Sequence, residues 1–227
     1  VLDKLHEQTS DVLKGRCFSK DIAKLGKAMV DEYIKDGVCP CIKHLPGHGL
    51  AMTDPHLNLP VINANMKKLN GEFAPFKALC NAPMGMLAHI ILQAVDAENA
   101  ATVSCEVIQK IIRLQLGFKG LLVSDAIIMK ALSGTITQKA QAAIKAGCDV
   151  VCLGNADLAA NEELCNSKIY LTDEAQQRLR TVYTIINKNE DFGNYEYVKN
   201  KYCESLKNIV SYDYHYDATE VLQQLKQ

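Results

Sequence analysis

GVCPCIKHLPGHGLAMTDPH, residues 37–56, joins an apolar run to a loop that is dense in histidine, glycine and proline. The apolar half has the near-continuous character of a strand that is covered on both faces of a parallel sheet. Lys43 and His44 follow that run directly, and two further histidines lie on the loop beyond it. An ordinary surface loop does not require this set of side chains. The stretch therefore predicts a buried strand with a functional site at its end.

Further strands and helices alternate along the chain. Apolar runs like that of residues 37–44 occur at 84–90, 120–125 and 147–154. Helical patterns occupy residues 19–37 (with Ser19 as the capping residue), 65–81, 104–118, 137–147 and 172–187. One strand per roughly 30 residues predicts βαβ units, a parallel sheet and an α/β fold. An open doubly wound sheet and a (β/α)₈ barrel both fit this order, although a barrel requires more strands than these.

Polar residues collect where the predicted strands end. They are Lys43, His44, His89, Ser124, Asp125 and Asn155. Ligand sites of parallel α/β folds lie at the carboxyl ends of the strands. We therefore expect a site built from Lys43, His44 and Asp125. His89 fits either a residue that lines this site or a core histidine with satisfied hydrogen bonds.

The composition excludes several classes of function. The 227 residues carry a net charge of −1, which offers no electrostatic basis for binding nucleic acid or an anionic membrane. No apolar run is long enough to span a bilayer. Nine scattered cysteines without paired spacings indicate reduced, mostly buried thiols and a cytoplasmic location.

Residues 189–227 differ in composition from the rest of the chain. Six of the nine tyrosines fall between Tyr195 and Tyr216, among acidic and amide residues. We interpret residues 1–188 as one domain and residues 189–227 as a Tyr-rich extension without chemistry. This extension is expected to end in a short helix at 217–226.

The motifs resemble those of a known family. KHLPGHG followed by TDPH is similar to the KHFPGHG…DSH signature of family 3 glycoside hydrolases, especially the bacterial β-N-acetylglucosaminidases of cell-wall recycling. Residues 117–132 resemble the family's GFDGVIVSDDLSMKAL segment, and residues 1–21 and 146–155 resemble two further segments. The resemblance implies a (β/α)₈ TIM-type barrel. This chain would hold only its C-terminal part, about four to five βα units.

The resemblance also implies catalytic roles. Asp125 matches the family nucleophile, His56 the general acid/base and Asp54 its partner. A retaining glycosidase needs a carboxylate that attacks the anomeric carbon and an acid that protonates the leaving oxygen. Imidazole can serve as that acid because it titrates near neutral pH. Asp54, two residues before His56, would orient the ring and fix its tautomer.

Sugar binding and loop motion are implied in the same way. Lys43, His44 and Arg16 match family residues that hold the substrate sugar, and the family needs neither a metal nor an organic cofactor. In the loop, Gly47 and Gly49 permit positive φ while prolines add stiffness. We expect the loop to act as a lid that carries His56 over a bound sugar.

The leading hypothesis is a retaining glycosidase that releases terminal β-linked N-acetylglucosamine from peptidoglycan-derived muropeptide fragments. The expected partner is thus a small carbohydrate, with no nucleic acid or membrane, and no oligomeric state is indicated. The chain begins at Val1 and lacks the family's first βα units. We therefore also consider a truncated or degenerate, non-catalytic sugar-binding homologue. Two further hypotheses are a phosphorylase and a metal-dependent hydrolase with His44, His48 and His56 as ligands.

Overall fold

The computed structural model describes residues 1–10, 13, 15–18, 20–56, 58–155, 157–187 and 195–206. The chain divides into two compact units, residues 1–188 and 189–227. In the second unit, the structure describes the helix Tyr195–Leu206. The helix predicted at 217–226 and the predicted capping residue Ser19 lie outside the described residues.

Four parallel strands form the main sheet of the first unit. They are β1 (Cys41–Leu45), β3 (Met84–Leu87), β5 (Leu121–Ala126) and β6 (Val150–Cys152), and they lie in the sheet in that order. Strand order thus follows chain order without reversal. A doubly wound sheet reverses direction at a switch point, whereas successive strands of a barrel are neighbours. The observed order therefore favours part of a (β/α)₈-type barrel over a doubly wound sheet.

Helices follow the strands as the apolar periodicity predicts. Their bounds are Ile22–Lys35, Met66–Ala78, a π-helix at Glu106–Gln115, Ile136–Ala146, Leu158–Asn166 and Asp173–Ile186. The helix Met66–Ala78 continues through Gly71 and Pro75, two residues that usually interrupt a helical pattern. The helix Leu158–Asn166 was not predicted. None of its residues is buried, so it has no apolar stripe to detect.

A second, two-stranded parallel sheet was also missed. It pairs β2 (Val61–Ile62) with β4 (Ile91–Leu92). Strands of two residues are too short to show a period-2 pattern in the sequence. The loop that begins at the end of β1 carries the predicted acid/base His56, and it ends at β2 of this small sheet.

The core lies between the main sheet and its helices. Leu69, Phe73 and Phe76 bury one face of the helix Met66–Ala78, and Phe118 packs beneath β3. Each such side chain stabilises the fold by about 1.5–3 kcal/mol through burial. A Cβ on Gly85 would lie 2.4 Å from Leu45 and 2.8 Å from Phe118, so glycine is required at this point of β3. Packing of this density fixes the positions of the strand ends.

The cysteine prediction was wrong in one respect. All nine cysteines are free, but only Cys148 is buried, while Cys105, Cys165 and Cys203 are exposed and the others intermediate. The three exposed cysteines lie on helical segments and have solvent-accessible side chains, which composition alone does not show. Of the helices that the structure describes, none has the length and apolar character needed to cross a membrane.

Candidate active site

Asp125 lies near the carboxyl end of β5, as predicted, whereas Lys43 is the central residue of β1 and not at its end. The charges of Lys43 and Asp125 both act on the pKa values of Cys41 and Cys152. Burial raises the pKa of Cys152, Asp125 raises it further, and Lys43 lowers it. Burial likewise raises the pKa of Cys41 to about 11, while Lys43 lowers it and Asp125 raises it. Lys43 and Asp125 therefore act in opposite directions on the pKa values of the same two thiols.

Asp125 is only partly buried, and its carboxylate makes little use of protein hydrogen bonds. Its Oδ1 atom accepts a hydrogen bond from the N–H group of Ala126 at 2.8 Å. The neighbouring Ser124 behaves differently, since it is fully buried and its Oγ accepts from the Cys152 N–H group at 2.9 Å. Ser124 ties β5 to β6, and Asp125 is left available for a ligand.

His56 and Asp54 form the predicted pair on the loop after β1. The Nδ1 atom of His56 lies 2.7 Å from Oδ1 of Asp54, and the same oxygen accepts from the His56 backbone N–H group at 2.8 Å. Their side chains are 54% and 27% exposed. The carboxylate orients the ring so that Nδ1 donates and Nε2 remains for proton exchange. Within the described part of the chain, the hydrogen bonds of His56 are both to Asp54, and none joins it to Asp125.

The loop after β1 has a buried stem and an exposed tip. Residues 45–49 are buried, whereas Met52, Thr53 and His56 are exposed. Gly47 adopts a positive φ of 145°, as predicted. Gly49 does not use the positive φ that glycine permits. A Cβ there would lie 2.1 Å from the carbonyl oxygen of Lys4, so close backbone approach is what requires glycine.

Asp3 is the site residue that sequence reasoning missed. It is fully buried, and its Oδ2 accepts from the His44 backbone N–H at 3.1 Å and lies 2.7 Å from His44 Nδ1. Its Oδ1 accepts from the His48 N–H group at 2.6 Å. Burial raises the pKa of Asp3, but these hydrogen bonds and the histidine charges outweigh burial and hold that pKa below its ordinary value. Its partners are 41 and 45 residues away along the chain, so no local pattern could reveal it.

The imidazole ring of His48 is buried without hydrogen bonds. Neither of its ring nitrogens has a partner among the described residues, and its ring centroid lies 5.6 Å from that of His44. Burial lowers the pKa of His48 to about 4, although the charges of Asp3 and Asp125 act in the opposite direction. His48 is therefore neutral at physiological pH and packs inside the stem of the loop.

His89 is a core histidine with satisfied hydrogen bonds, one of the two predicted possibilities. Its Nδ1 lies 2.7 Å from the hydroxyl of Thr102, and its Nε2 lies 3.2 Å from the carbonyl oxygen of Ala126. Burial lowers the pKa of His89, and the Thr102 hydroxyl in turn donates to the Ala88 carbonyl oxygen at 2.9 Å. His89 therefore supports the backbone immediately after Asp125.

Arg16, the third predicted sugar-binding residue, lies on an exposed turn. Its backbone N–H group donates to the carbonyl oxygen of Leu13 at 2.9 Å. Burial and Asp3 raise the pKa of the adjacent Cys17, whereas Arg16 lowers it. Arg16 and Asp3 thus both act on Cys17. The role of Arg16 toward a sugar stays a prediction.

The three histidines of the opening stretch do not form a metal site. Across the described ranges, no group of three or more His, Cys, Asp or Glu side chains could hold a metal ion. His44 and His56 each present Nδ1 to an aspartate of their own. The hypothesis of a hydrolase with His44, His48 and His56 as metal ligands is therefore wrong.

Known proteins are similar to this chain in sequence and in fold. Residues 1–185 match the glycosyl hydrolase family 3 N terminal domain. A protein of Thiobacillus denitrificans named beta-hexosaminidase is 34% identical over 191 residues, which cover 81% of this chain and 53% of the relative. A beta-hexosaminidase of Bordetella avium is 35% identical over 188 residues, which cover 79% of this chain and 53% of that protein.

A solved structure supports the same assignment. NagZ from Neisseria gonorrhoeae, in complex with N-trifluoroacetyl-D-glucosamine, superposes with a TM-score of 0.69 at 26% identity. The match covers 92% of this chain and 58% of that one. The chain spans about half the length of the curated relatives it matches. On the sequence match and the shared fold, the chain belongs to glycosyl hydrolase family 3.

Proposed function

We propose that this chain provides the reaction residues of a retaining β-N-acetylhexosaminidase, with Asp125 as nucleophile and His56 as general acid/base. The observation that carries the proposal is the 2.7 Å contact between His56 and Asp54, which orients an exposed imidazole on the loop after β1. Asp125 lies at the carboxyl end of β5, on the sheet edge from which that loop departs. This is the edge at which parallel α/β folds bind ligands.

The reaction would proceed in two steps. First, a carboxylate oxygen of Asp125 bonds to the anomeric carbon while the glycosidic C–O bond breaks, and His56 Nε2–H gives its proton to the leaving oxygen. In the second step, His56 Nε2 accepts a proton from water, and the water oxygen displaces Asp125 from the anomeric carbon. Two inversions give net retention of configuration.

The substrate class follows from the relatives. Proteins of similar sequence are named beta-hexosaminidase, and the similar Neisseria enzyme was solved with an N-acyl glucosamine. We therefore propose terminal β-linked N-acetylglucosamine on peptidoglycan-derived fragments as substrate, held by Lys43, His44 and Arg16. The nine free cysteines support a reducing compartment, and we propose the cytoplasm.

The test compares two leaving groups. Aryl N-acetylglucosaminides with an acidic phenol need no protonation, whereas alkyl or sugar glycosides do. We expect His56→Ala to lower kcat/KM, which reports the step that forms the covalent intermediate, about 10²–10⁴-fold for the alkyl glycoside and far less for the aryl one. Asp125→Asn serves as the contrasting variant because the nucleophile is needed for both. Equal losses for both leaving groups in His56→Ala would contradict the acid role.

The same assay separates hydrolysis from phosphorolysis and from sugar binding alone. We expect the wild-type chain to release free N-acetylglucosamine at a rate that does not depend on phosphate, with the β-anomer formed first in proton NMR. Turnover that requires phosphate and yields the sugar 1-phosphate would instead indicate a phosphorylase. Sugar binding without any turnover would indicate a non-catalytic homologue.

A further inference from the structure

Asp3 contacts His44, a residue of the proposed sugar site, and His48 in the stem of the loop after β1, and it has no assigned role. We infer that Asp3 is a positioning residue: it orients His44 so that Nε2 faces the substrate hydroxyls, and it anchors the stem of the loop that carries His56. This inference rests on the proposed function. It is carried by three hydrogen bonds to one buried carboxylate, two from His44 and one from His48.

The first step concerns the tautomer of His44. The 2.7 Å contact joins Nδ1 to a carboxylate oxygen that already accepts the His44 backbone N–H group. An ionised carboxylate can only accept, so Nδ1 must carry the proton. A neutral ring then presents the lone pair of Nε2, and within the described residues no hydrogen bond engages that atom. His44 is therefore held as an acceptor for a sugar O–H group.

The second step concerns the loop. Oδ1 of Asp3 holds the His48 N–H group at 2.6 Å, four residues beyond the point where Oδ2 holds His44. One rigid group thus spans the end of β1 and the loop stem. Thr9 ties the same stem independently, because its hydroxyl donates to the Gly49 carbonyl oxygen at 2.7 Å without touching His44. Sugar orientation and loop placement are linked through Asp3, whereas Thr9 holds the loop stem and accepts the His6 N–H group at 2.7 Å without touching His44.

This difference provides a matched control. In Asp3, one carboxylate oxygen accepts from His44 and the other from His48. Asparagine has a single acceptor oxygen, so the amide in Asp3→Asn cannot accept from both residues. Thr9→Val removes a buried loop contact of similar length and leaves the His44 ring untouched. A merely structural role for Asp3 would make the two variants alike.

Nitrogen-15 NMR of the ring nitrogens tests the inference directly. The His44 signals are assigned by their loss in His44→Gln. We expect wild type and Thr9→Val to show His44 with its proton on Nδ1, and Asp3→Asn to populate the Nε2–H tautomer. We also expect added N-acetylglucosamine to shift the Nε2 signal of wild type. An Nε2–H tautomer in wild type, or an unchanged tautomer in Asp3→Asn, would overturn the inference. If Asp3→Asn fails to fold, the wild-type tautomer and its sugar response decide.

Kinetics on an aryl N-acetylglucosaminide gives the second readout. We expect Asp3→Asn to lower kcat/KM about 100-fold, largely through a higher KM, because misplacement of a binding group by about 1 Å has an effect of that size. Thr9→Val should lower kcat/KM by less than about fivefold. Equal losses in both variants would contradict the positioning role. Absence of wild-type turnover would refute the proposed enzyme, and the NMR result would still decide whether Asp3 sets the His44 tautomer.

Discussion

Asp149 and Asp125 lie at opposite ends of the main sheet and differ in their burial and in their hydrogen-bond partners. At the amino end, Asp149 is buried beside Arg113 and Arg178, with N···O distances of 2.8 and 2.6 Å, and it also accepts the Leu122 N–H group at 2.8 Å. At the carboxyl end, Asp125 is partly exposed and receives a hydrogen bond from the Ala126 N–H group. Asp149 thus joins β5, the π-helix and the helix Asp173–Ile186, whereas the hydrogen bond of Asp125 among the described residues is to its neighbour Ala126.

This difference separates stability from chemistry. A carboxylate that is fully engaged by buried partners contributes to folding and has no oxygen left for a substrate. A carboxylate with few protein partners contributes little to folding and can attack a ligand. The unpartnered ring of His48 lies toward the carboxyl end as well, on the loop after β1. At the carboxyl end buried Asp3 is engaged as fully as Asp149, whereas Asp125 and the ring of His48 are left without such partners in the described part of the chain.

The largest expected effect is on turnover. Asp125→Asn should lower kcat on an aryl N-acetylglucosaminide by about 10⁴-fold or more, because an amide cannot form the covalent intermediate. The unfolding free energy should change little, since the amide oxygen can still accept the Ala126 N–H group. Activity within tenfold of wild type, or a marked loss of stability, would remove the distinction between the two ends.

The converse experiment acts at the amino end. Asp149→Ala leaves two largely buried guanidinium groups without their carboxylate, which should lower the free energy of unfolding by about 3–5 kcal/mol. Urea denaturation measures this loss. The control is Asp31→Ala, which breaks an exposed Lys27–Asp31 pair of 2.6 Å and should cost less than about 0.5 kcal/mol. Similar losses in the two variants would show that burial of the Asp149 network does not matter.

His48 sharpens the comparison through pH. Its pKa is about 4 in the folded protein against 6.5 for an ordinary histidine, so the unfolded chain binds the extra proton between these values. Stability should therefore fall as pH is lowered from 6.5 toward 4, by about 3 kcal/mol in total from this residue. His48→Leu should remove this part of the pH dependence in urea titrations. Exposed His56 is the control, and His56→Ala should retain the full slope.

The sequence-based predictions succeeded where contacts are local. The alternation of apolar runs and helical patterns predicted the four main strands, and the family resemblance implied the Asp54–His56 pair, whose members are two residues apart. Both depend on chain geometry within a few residues. The pairing of Asp3 with His44 joins residues 41 apart, and that of Asp149 with Arg178 joins residues 29 apart. Such contacts depend on the complete fold, and no local pattern encodes them.

Features that depend on how distant segments pack together could not be predicted from the sequence either. Gly49 was noted for the positive φ that glycine permits, but what requires glycine there is the approach of the Lys4 carbonyl oxygen from a distant segment. The roles of Lys43, His44 and Arg16 toward a sugar came from resemblance and stay predictions. The sheet order, which distinguishes a barrel from a doubly wound sheet, required the strands in place.

The smallest expected effect tests whether the free energy of unfolding can be lowered by a change at the carboxyl end while kcat stays the same. Thr135 caps the helix Ile136–Ala146 after β5: its hydroxyl accepts the Gln138 N–H group at 3.2 Å, and the Gln138 side chain accepts the Thr135 N–H group at 2.9 Å. Thr135→Ala should lower the unfolding free energy by about 1 kcal/mol, and Thr135→Ser, which keeps the acceptor, should restore most of it. Because the cap touches neither Asp125 nor His56, kcat should stay within about twofold in both variants. A larger loss of turnover in Thr135→Ala would mean that the helix start helps to place the nucleophile, and the separation of function from stability at this end would then be incomplete.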